Sequence, residues 1–127
     1  MTEINEADPS ILVGRTIFLV EDQAIIALEL QYELESAGAR VVGPAHTLAK
    51  AEGFARRGRI DAAILDMDLR GEDSDPVAEI LTKRNIPFLI HTGHGEETDL
   101  DARYPGVPVL VKPVRSKQLL RILAGLL

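Results

Sequence analysis

Four short apolar segments of the sequence each end in a residue that can take part in chemistry. These residues are Asp22, which follows Glu21, and then Asp66, Thr92 and Lys112. Crowded carboxylates repel one another unless a cation lies among them, and a site of oxygen ligands alone suits Mg²⁺. An aspartate can attack phosphorus, while a lysine and a metal ion stabilise the charge of the transferred group. The set therefore indicates reversible phosphorylation of a carboxylate, provided that the fold brings these residues together.

The apolar segments themselves predict strands. They are continuous rather than alternating, which is typical of strands buried on both faces of a parallel sheet. They cover residues 17–20, 62–65, 88–90 and 109–111, with 41–42 as a weaker fifth candidate. Because the carboxyl ends of parallel strands share one edge of the sheet, the four chemical residues should meet there.

Helical periodicity fills the intervals between these strands. It predicts helices at 23–37, 47–57 and 75–84 and from 115 or 116 onward, and 93–106 is the least regular interval. The first helix has two groups of apolar residues at helical spacing: Ile25, Leu28 and Tyr32, with Ile26, Leu30 and Leu34 beside them. Alternating strands and helices predict an α/β fold with helices on both faces of the sheet.

The composition excludes several classes of protein. The chain has 127 residues, which fits one domain. Its net charge of −6 disfavours binding to a nucleic-acid backbone, and the absence of cysteine rules out disulfides and thiolate metal sites. No apolar run is long enough to span a bilayer. We therefore expect a cytoplasmic domain with no nucleic acid and no membrane as partner.

From Arg15 to Leu127 the sequence resembles the response-regulator receiver domain, the chemotaxis-type signalling module. Four segments carry the resemblance in the family's order, at 18–22, 64–69, 91–93 and 109–113. Residues 1–14 then form an N-terminal extension, and 15–127 the receiver domain. The resemblance implies a flavodoxin-like, doubly wound five-stranded parallel sheet with strand order 2-1-3-4-5. Because no output domain follows Leu127, we expect a stand-alone receiver without DNA-binding or effector activity in cis.

The resemblance also assigns roles to the candidate residues. Asp66 matches the phosphoacceptor, while Thr92 and Lys112 match the residues that bind the phosphoryl group. The Lys112–Pro113 bond is usually cis in this family. Asp22 matches a direct Mg²⁺ ligand and Glu21 one that acts through water. The implied metal site comprises Glu21, Asp22, Asp66 and the backbone carbonyl of Asp68.

In such a two-component or phosphorelay system, the donor of the phosphoryl group is a sensor histidine kinase or a histidine phosphotransferase. Phosphorylation then switches a surface that binds a downstream protein, whose identity the sequence does not give. The resemblance thus implies a signalling domain rather than a conventional enzyme, one that catalyses only its own phosphorylation and dephosphorylation.

The sequence departs from the receiver pattern at three positions. Arg70 stands where a proline usually lies, four residues after the phosphoacceptor. Val109 replaces the aromatic residue often found three residues before the lysine. The segment 87–95 loosely resembles the Phe-Ala-Thr-Gly motif of a receiver subgroup common among alphaproteobacterial single-domain regulators, with His91 in place of alanine.

The three histidines give weak signals. His91 and His94 are three residues apart, which is poor evidence for a metal site, and we expect them to be exposed or hydrogen-bonded. His46 has no evident partner and is expected on the surface. We hypothesise that His94 and Asp68 set the lifetime of the phosphorylated state.

Two other functions remain open at this point. The run that ends in Asp66 and Asp68 also matches the signature of haloacid-dehalogenase-type phosphatases, with Asp66 as nucleophile and Asp68 as acid and base. Against it, the signature normally lies at the first strand, and the chain leaves no room for a cap domain. A receiver-like scaffold that never takes a phosphoryl group is supported only by Arg70 and Val109.

Overall fold

In the computed structural model, residues 11–93 and 97–127 are described, apart from the side chains of residues 97 and 98. The main strands are β1 (Thr16–Val20), β2 (Arg40–Ala45), β3 (Ala62–Leu65), β6 (Phe88–Thr92) and β7 (Val109–Val111), and a short hairpin comprises β4 (Asp68–Leu69) and β5 (Glu72–Asp73). The helices are α1 (Ala24–Ser36), α2 (Leu48–Arg57), α3 (Asp75–Lys83), α4 (Glu97–Arg103) and α5 (Ser116–Gly125). Within these ranges each helix is too short or too polar to cross a membrane.

The five main strands form one parallel sheet in the order β2-β1-β3-β6-β7. Counted without the hairpin, this is the order 2-1-3-4-5, and the predicted flavodoxin-like fold is confirmed. Val20 pairs with Leu65, Leu65 with Ile90, and Thr92 with Val111. This register places the residues that follow the central strands at one edge of the sheet.

The core lies in two layers, one on each face of the sheet. Phe18 and Val20 of β1 pack with apolar residues of α2, α3 and α4, whereas Ile17 and Leu19 pack with α1 and α5. Every residue of β3 and β6 is buried. The alternation follows from the two-residue period of a strand, and it explains why the strand sequences are continuously apolar.

Helix α1 buries only one of its two apolar groups. Leu30 and Leu34 lie in the core, while Ile25, Leu28 and Tyr32 are 82%, 69% and 69% exposed. These three residues form the outer face of α1. The helix ends before Gly38, whose φ of +97° lies in the left-handed region that glycine adopts easily.

Two segments that the sequence left poorly defined pack closely against the domain. Leu12 is fully buried, and its N–H donates to the carbonyl of Ala37 at 2.9 Å. Residues 1–10 of the expected N-terminal extension lie outside the described ranges. Within the irregular interval 93–106, α4 is fixed by the buried Leu100 and by hydrogen bonds from Arg103 and Tyr104 to Asp75.

Candidate functional site

Lys112 lies at the centre of the polar residues at the carboxyl edge of the sheet. Its Nζ donates to Asp66 Oδ2 at 2.9 Å, to Glu21 Oε2 at 3.0 Å and to Gln23 Oε1 at 3.0 Å. Thus all three donors of the ammonium group are used. Gln23 was not among the residues that the sequence singled out, although its position directly after Asp22 is the signal that could have indicated it.

Three carboxylates meet beside this lysine. Glu21, Asp22 and Asp66 each offer an oxygen atom, and these atoms lie within 4.8 Å of one another. Glu21 and Asp66 are buried, at 1% and 3% exposure. Three carboxylates against one ammonium leave negative charge uncompensated, and the donors are all oxygen. The arrangement therefore fits a small hard cation such as Mg²⁺.

Burial controls the protonation of these groups. Removal from water raises the pKa of Glu21 from 4.5 to about 7, even though hydrogen bonds from Lys112 and Gln23 lower it. Burial likewise raises the pKa of Asp66, against the lowering effects of Lys112 and the Asp68 N–H. Burial lowers the pKa of Lys112, but its hydrogen bonds with Asp66 and Glu21 outweigh this and raise it. The lysine is charged, while the two carboxylates share one counter-ion.

The β4–β5 hairpin fixes the loop that follows Asp66. The Asp68 N–H donates to Asp66 Oδ1 at 3.1 Å, and the carboxylate of Asp68 accepts from the Gly71 N–H at 2.8 Å. The buried Ser74 donates its hydroxyl to the Asp66 carbonyl at 2.7 Å. The side chain of Asp68 is thus held by its own turn and is absent from the carboxylate cluster.

Arg70, which replaces the usual proline, has a backbone role in the site. Its φ is +56°, and its N–H donates to Asp22 Oδ2 at 3.0 Å. A proline has no N–H and is restricted to a φ near −65°, so it can neither donate this hydrogen bond nor adopt this conformation. The departure from the family pattern therefore supplies a hydrogen bond that orients Asp22.

Thr92 lies at the end of β6, next to Lys112. It is buried, and its carbonyl accepts from the Lys112 N–H at 2.7 Å. The Lys112–Pro113 peptide bond is cis, as the resemblance implies. An open cavity of about 470 Å³ lies at this edge, lined by Asp22, Gln23, Ile26, Asp66, Asp68, Gly93, Lys112 and Pro113.

Two of the histidines are placed differently from what the sequence suggested. His91 is 3% exposed, and neither ring nitrogen has a hydrogen-bond partner among the described residues, so the expected exposed or hydrogen-bonded state is wrong. Burial, aided by the charge of Lys112, lowers its pKa to about 4. His46 has a partner after all, because its Nδ1 lies 2.8 Å from the Glu21 carbonyl oxygen. His94 lies outside the described residues.

Comparison with protein families matches residues 17–124 to the response regulator receiver domain. The chain belongs to this family. Receiver domains are signalling domains of two-component systems rather than conventional enzymes. The signature of haloacid-dehalogenase-type phosphatases, by contrast, normally lies at the first strand. In this chain Asp66 follows β3.

Individual relatives agree with this assignment. The transcriptional regulatory protein PdtaR of Mycobacterium tuberculosis is 30% identical over 109 residues, which cover 84% of this chain and 53% of PdtaR. The chain thus spans about half the length of that curated relative.

Two solved receiver structures have the same fold. SdrG from Sphingomonas melonis, in a solution structure, is 42% identical with a TM-score of 0.76, covering 92% of this chain and 98% of that one. The receiver domain of the sensor histidine kinase PA1611 from Pseudomonas aeruginosa is 27% identical with a TM-score of 0.76, covering 90% and 98%. The PA1611 crystal structure has a magnesium ion coordinated in its active-site cleft.

Proposed function

We propose that this chain is a phosphorylation switch in which Asp66 accepts a phosphoryl group from a phosphohistidine. The donor is a sensor histidine kinase or a histidine phosphotransferase. The observation that carries the proposal is the 2.9 Å contact between Lys112 Nζ and Asp66 Oδ2, within a cluster of three carboxylates that opens into a cavity. A carboxylate nucleophile, a fixed ammonium and an oxygen-ligand cation site are the groups that phosphoryl transfer to aspartate needs.

In the reaction, a carboxylate oxygen of Asp66 forms a bond to phosphorus. The bond between phosphorus and the donor imidazole nitrogen breaks, and its electron pair stays on the imidazole. Lys112 is close enough to neutralise charge on the transferred group, and the Thr92 hydroxyl is the second proposed donor to it. The Asp68 N–H and the Ser74 hydroxyl hold the loop of Asp66 in place, so that little reorganisation accompanies the attack.

The proposed metal ligands are Glu21, Asp22, Asp66 and the backbone carbonyl of Asp68. Bound Mg²⁺ supplies the positive charge that offsets the crowded carboxylates and the transferred phosphoryl group. The Arg70 N–H and the Gln23 N–H, which donate to Asp22 and Glu21, orient these two side chains for that purpose.

The outer face of α1 is the surface that we propose for the protein donor. It starts beside the cavity, because Gln23 and Ile26 line the cavity and Ile25 lies between them in the sequence, in the first turn of α1. Its residues are large, apolar and mostly exposed. A donor bound to this face places its phosphohistidine at the cavity opening. Phosphorylation adds about −1.5 to −2 units of charge, which shifts the equilibrium of a second surface toward binding of a downstream protein.

The proposal is tested by intact mass after incubation with acetyl phosphate and Mg²⁺. We expect the wild type to gain one phosphoryl group and Asp66→Asn to gain none. Asp101→Asn, which changes an exposed carboxylate on α4, is the matched control and should behave as the wild type. Titration with beryllofluoride, a phosphoryl mimic, detects a competent site even when the phosphorylated form is short-lived.

Two results would contradict the proposal. In the first, Asp66→Asn gains the phosphoryl group as the wild type does, which would place the acceptor elsewhere. In the second, the wild type neither gains mass nor binds beryllofluoride, which would leave the scaffold interpretation.

A further inference from the structure

Two buried side chains beside the site have polar atoms that form no hydrogen bond with the described part of the chain. Among the described residues, the buried side-chain atoms that lack a hydrogen bond are Glu21 Oε1 and both ring nitrogens of His91. His91 Nδ1 lies 3.8 Å from Glu21 Oε1, and the two side chains are 4% and 1% exposed. Buried polar groups are nearly always hydrogen-bonded, because an unpaired one loses water without compensation. An arrangement that leaves three such atoms unpaired therefore calls for a functional reason.

The fold places these two side chains on the same face of the sheet. Glu21 and His91 lie two residues beyond Leu19 and Leu89, both of which pack in the α1–α5 layer. Leu110 is opposite His91 on β7 and packs against the same layer. These leucine side chains offer His91 no acceptor, so the carboxylate of Glu21, 3.8 Å away, is the natural acceptor for an N–H of His91.

Glu21 Oε1 and His91 Nδ1 stay 3.8 Å apart because the two hydrogen bonds to the Glu21 carboxylate described above are both made to its other oxygen, Oε2. Oε2 accepts from Lys112 Nζ at 3.0 Å and from the Gln23 N–H at 3.1 Å. Oε1 is left on the side of His91, beyond the roughly 3.2 Å limit of a good N–H···O hydrogen bond. If Lys112 releases Oε2, the carboxylate needs to move by only about 1 Å for Oε1 to reach Nδ1.

We propose that His91 is a positioning residue for Glu21, and that its Nδ1–H donates to Oε1 when Lys112 turns to the phosphoryl group. This inference rests on the proposed function, in which Lys112 binds that group. The hydrogen bond replaces the ammonium as partner of a buried carboxylate and keeps Glu21 aligned at the cation site. His91, at a position where the resembled motif has alanine, thereby stabilises the phosphorylated form.

The first test varies the position of the side-chain nitrogen. His91→Asn places an amide nitrogen where Nδ1 lies, His91→Gln places one near Nε2, and His91→Leu has a similar volume without a donor. We measure the dissociation constant of beryllofluoride in the presence of Mg²⁺. We expect His91→Asn to match the wild type within about threefold, and His91→Gln and His91→Leu to bind about tenfold more weakly, the effect of losing one hydrogen bond.

A second readout separates positioning from packing. In EDTA, His91→Leu removes two unpaired buried nitrogens, so its thermal midpoint should equal or exceed that of the wild type. Weaker beryllofluoride binding together with unchanged or higher stability is the expected result. Affinity and stability that fall together would assign His91 a structural role only, and equal affinity in all three variants would also overturn the inference.

A third measurement does not depend on phosphorylation. In metal-free Lys112→Ala protein, Oε2 has lost its ammonium partner, and the His91 Nδ1–H should give a slowly exchanging imidazole resonance in ¹H–¹⁵N spectra. The metal-free wild type should lack it. If the wild type binds no beryllofluoride, the proposed function is wrong. The spectrum of Lys112→Ala would still show whether the His91 Nδ1–H donates to Glu21 Oε1. Absence of the resonance from Lys112→Ala would overturn the inference.

Discussion

Lys112 and Asp66 are 46 residues apart in the sequence, and their side chains are joined by a 2.9 Å ion pair. The same ammonium bonds Glu21, so two buried carboxylates share one cation. Both carboxylates have a raised pKa. The site is therefore stable only while Lys112, protons or an added cation compensate its negative charge.

Replacing Lys112 by alanine should destabilise the fold. The substitution leaves Glu21 and Asp66 buried without their shared partner, and breaking a buried ion pair from one side costs about 3 kcal/mol. Urea unfolding at neutral pH in EDTA measures the effect. Lys83→Ala is the matched control, because Lys83 pairs with Glu79 on the surface and should change stability by less than about 0.5 kcal/mol. Equal stability of both variants would refute the charge balance described for the site.

Magnesium should raise the stability of the wild type. A ligand that binds only the folded state stabilises it by about 2.7 kcal/mol at a hundredfold excess over Kd. Thermal unfolding in EDTA and in saturating Mg²⁺ gives the difference directly. Asp22→Asn should lose most of the shift, while Asp101→Asn should keep it. Identical melting curves of the wild type in the two conditions would show that the carboxylate cluster is not a magnesium site.

The pH dependence of stability should show two opposing contributions in the metal-free protein. Glu21 has a folded-state pKa of about 7, above its ordinary 4.5, so its contribution to stability is present below pH 4.5 and lost as the pH rises to about 7. His91 has a folded-state pKa of about 4, below its ordinary 6.5. Its contribution is present above pH 6.5 and lost as the pH falls to about 4. The contributions of Glu21 and His91 oppose each other between about pH 4.5 and 6.5, and the raised pKa of Asp66 acts in the same direction as that of Glu21.

Single variants should separate these contributions. In His91→Leu, stability in EDTA should fall as the pH rises from 4.5 to 7, because Glu21 and Asp66 are no longer opposed. In Glu21→Gln, the slope of stability against pH should be more positive than in the wild type, because the contribution of His91 is opposed by Asp66 alone. Urea unfolding at several pH values between 4.5 and 7, compared between each variant and the wild type, measures both slopes. Parallel curves for all three proteins would contradict the shifted pKa values.

The two apolar groups of α1 should respond differently to substitution. Leu30→Ala removes a buried side chain and should cost about 3 kcal/mol, whereas Leu28→Gln on the exposed outer face should change stability by less than about 0.5 kcal/mol. Leu28→Gln should also slow phosphotransfer from a phosphohistidine protein while leaving phosphorylation by acetyl phosphate unchanged. Equal loss with both donors would show that the outer face does not bind the donor protein.

The positions of the strands along the chain and the residues at their ends could be predicted from the sequence because both are local features, whereas the strand order 2-1-3-4-5 was implied by the resemblance to receiver domains. A buried strand needs a continuous apolar run, and the residue that follows the run is fixed by the covalent chain. Asp66 and Lys112 could therefore be singled out with no knowledge of their distance. The β4–β5 hairpin, by contrast, has only two residues in each strand and no recognisable pattern.

Tertiary contacts decided which of the two apolar groups of α1 is buried. The periodicity of α1 fits Ile25, Leu28 and Tyr32 as well as Leu30 and Leu34, and only packing against the sheet buries the second group.

The sequence alone determined which functional groups stand at the carboxyl edge of the sheet, because each follows directly on a strand. Only the tertiary structure decided that the Arg70 N–H bonds Asp22, that Gln23 shares Lys112, and that His91 is buried beside Glu21. The physical reason is that hydrogen bonds and desolvation depend on distances between segments remote in the chain, which residue type and spacing do not contain.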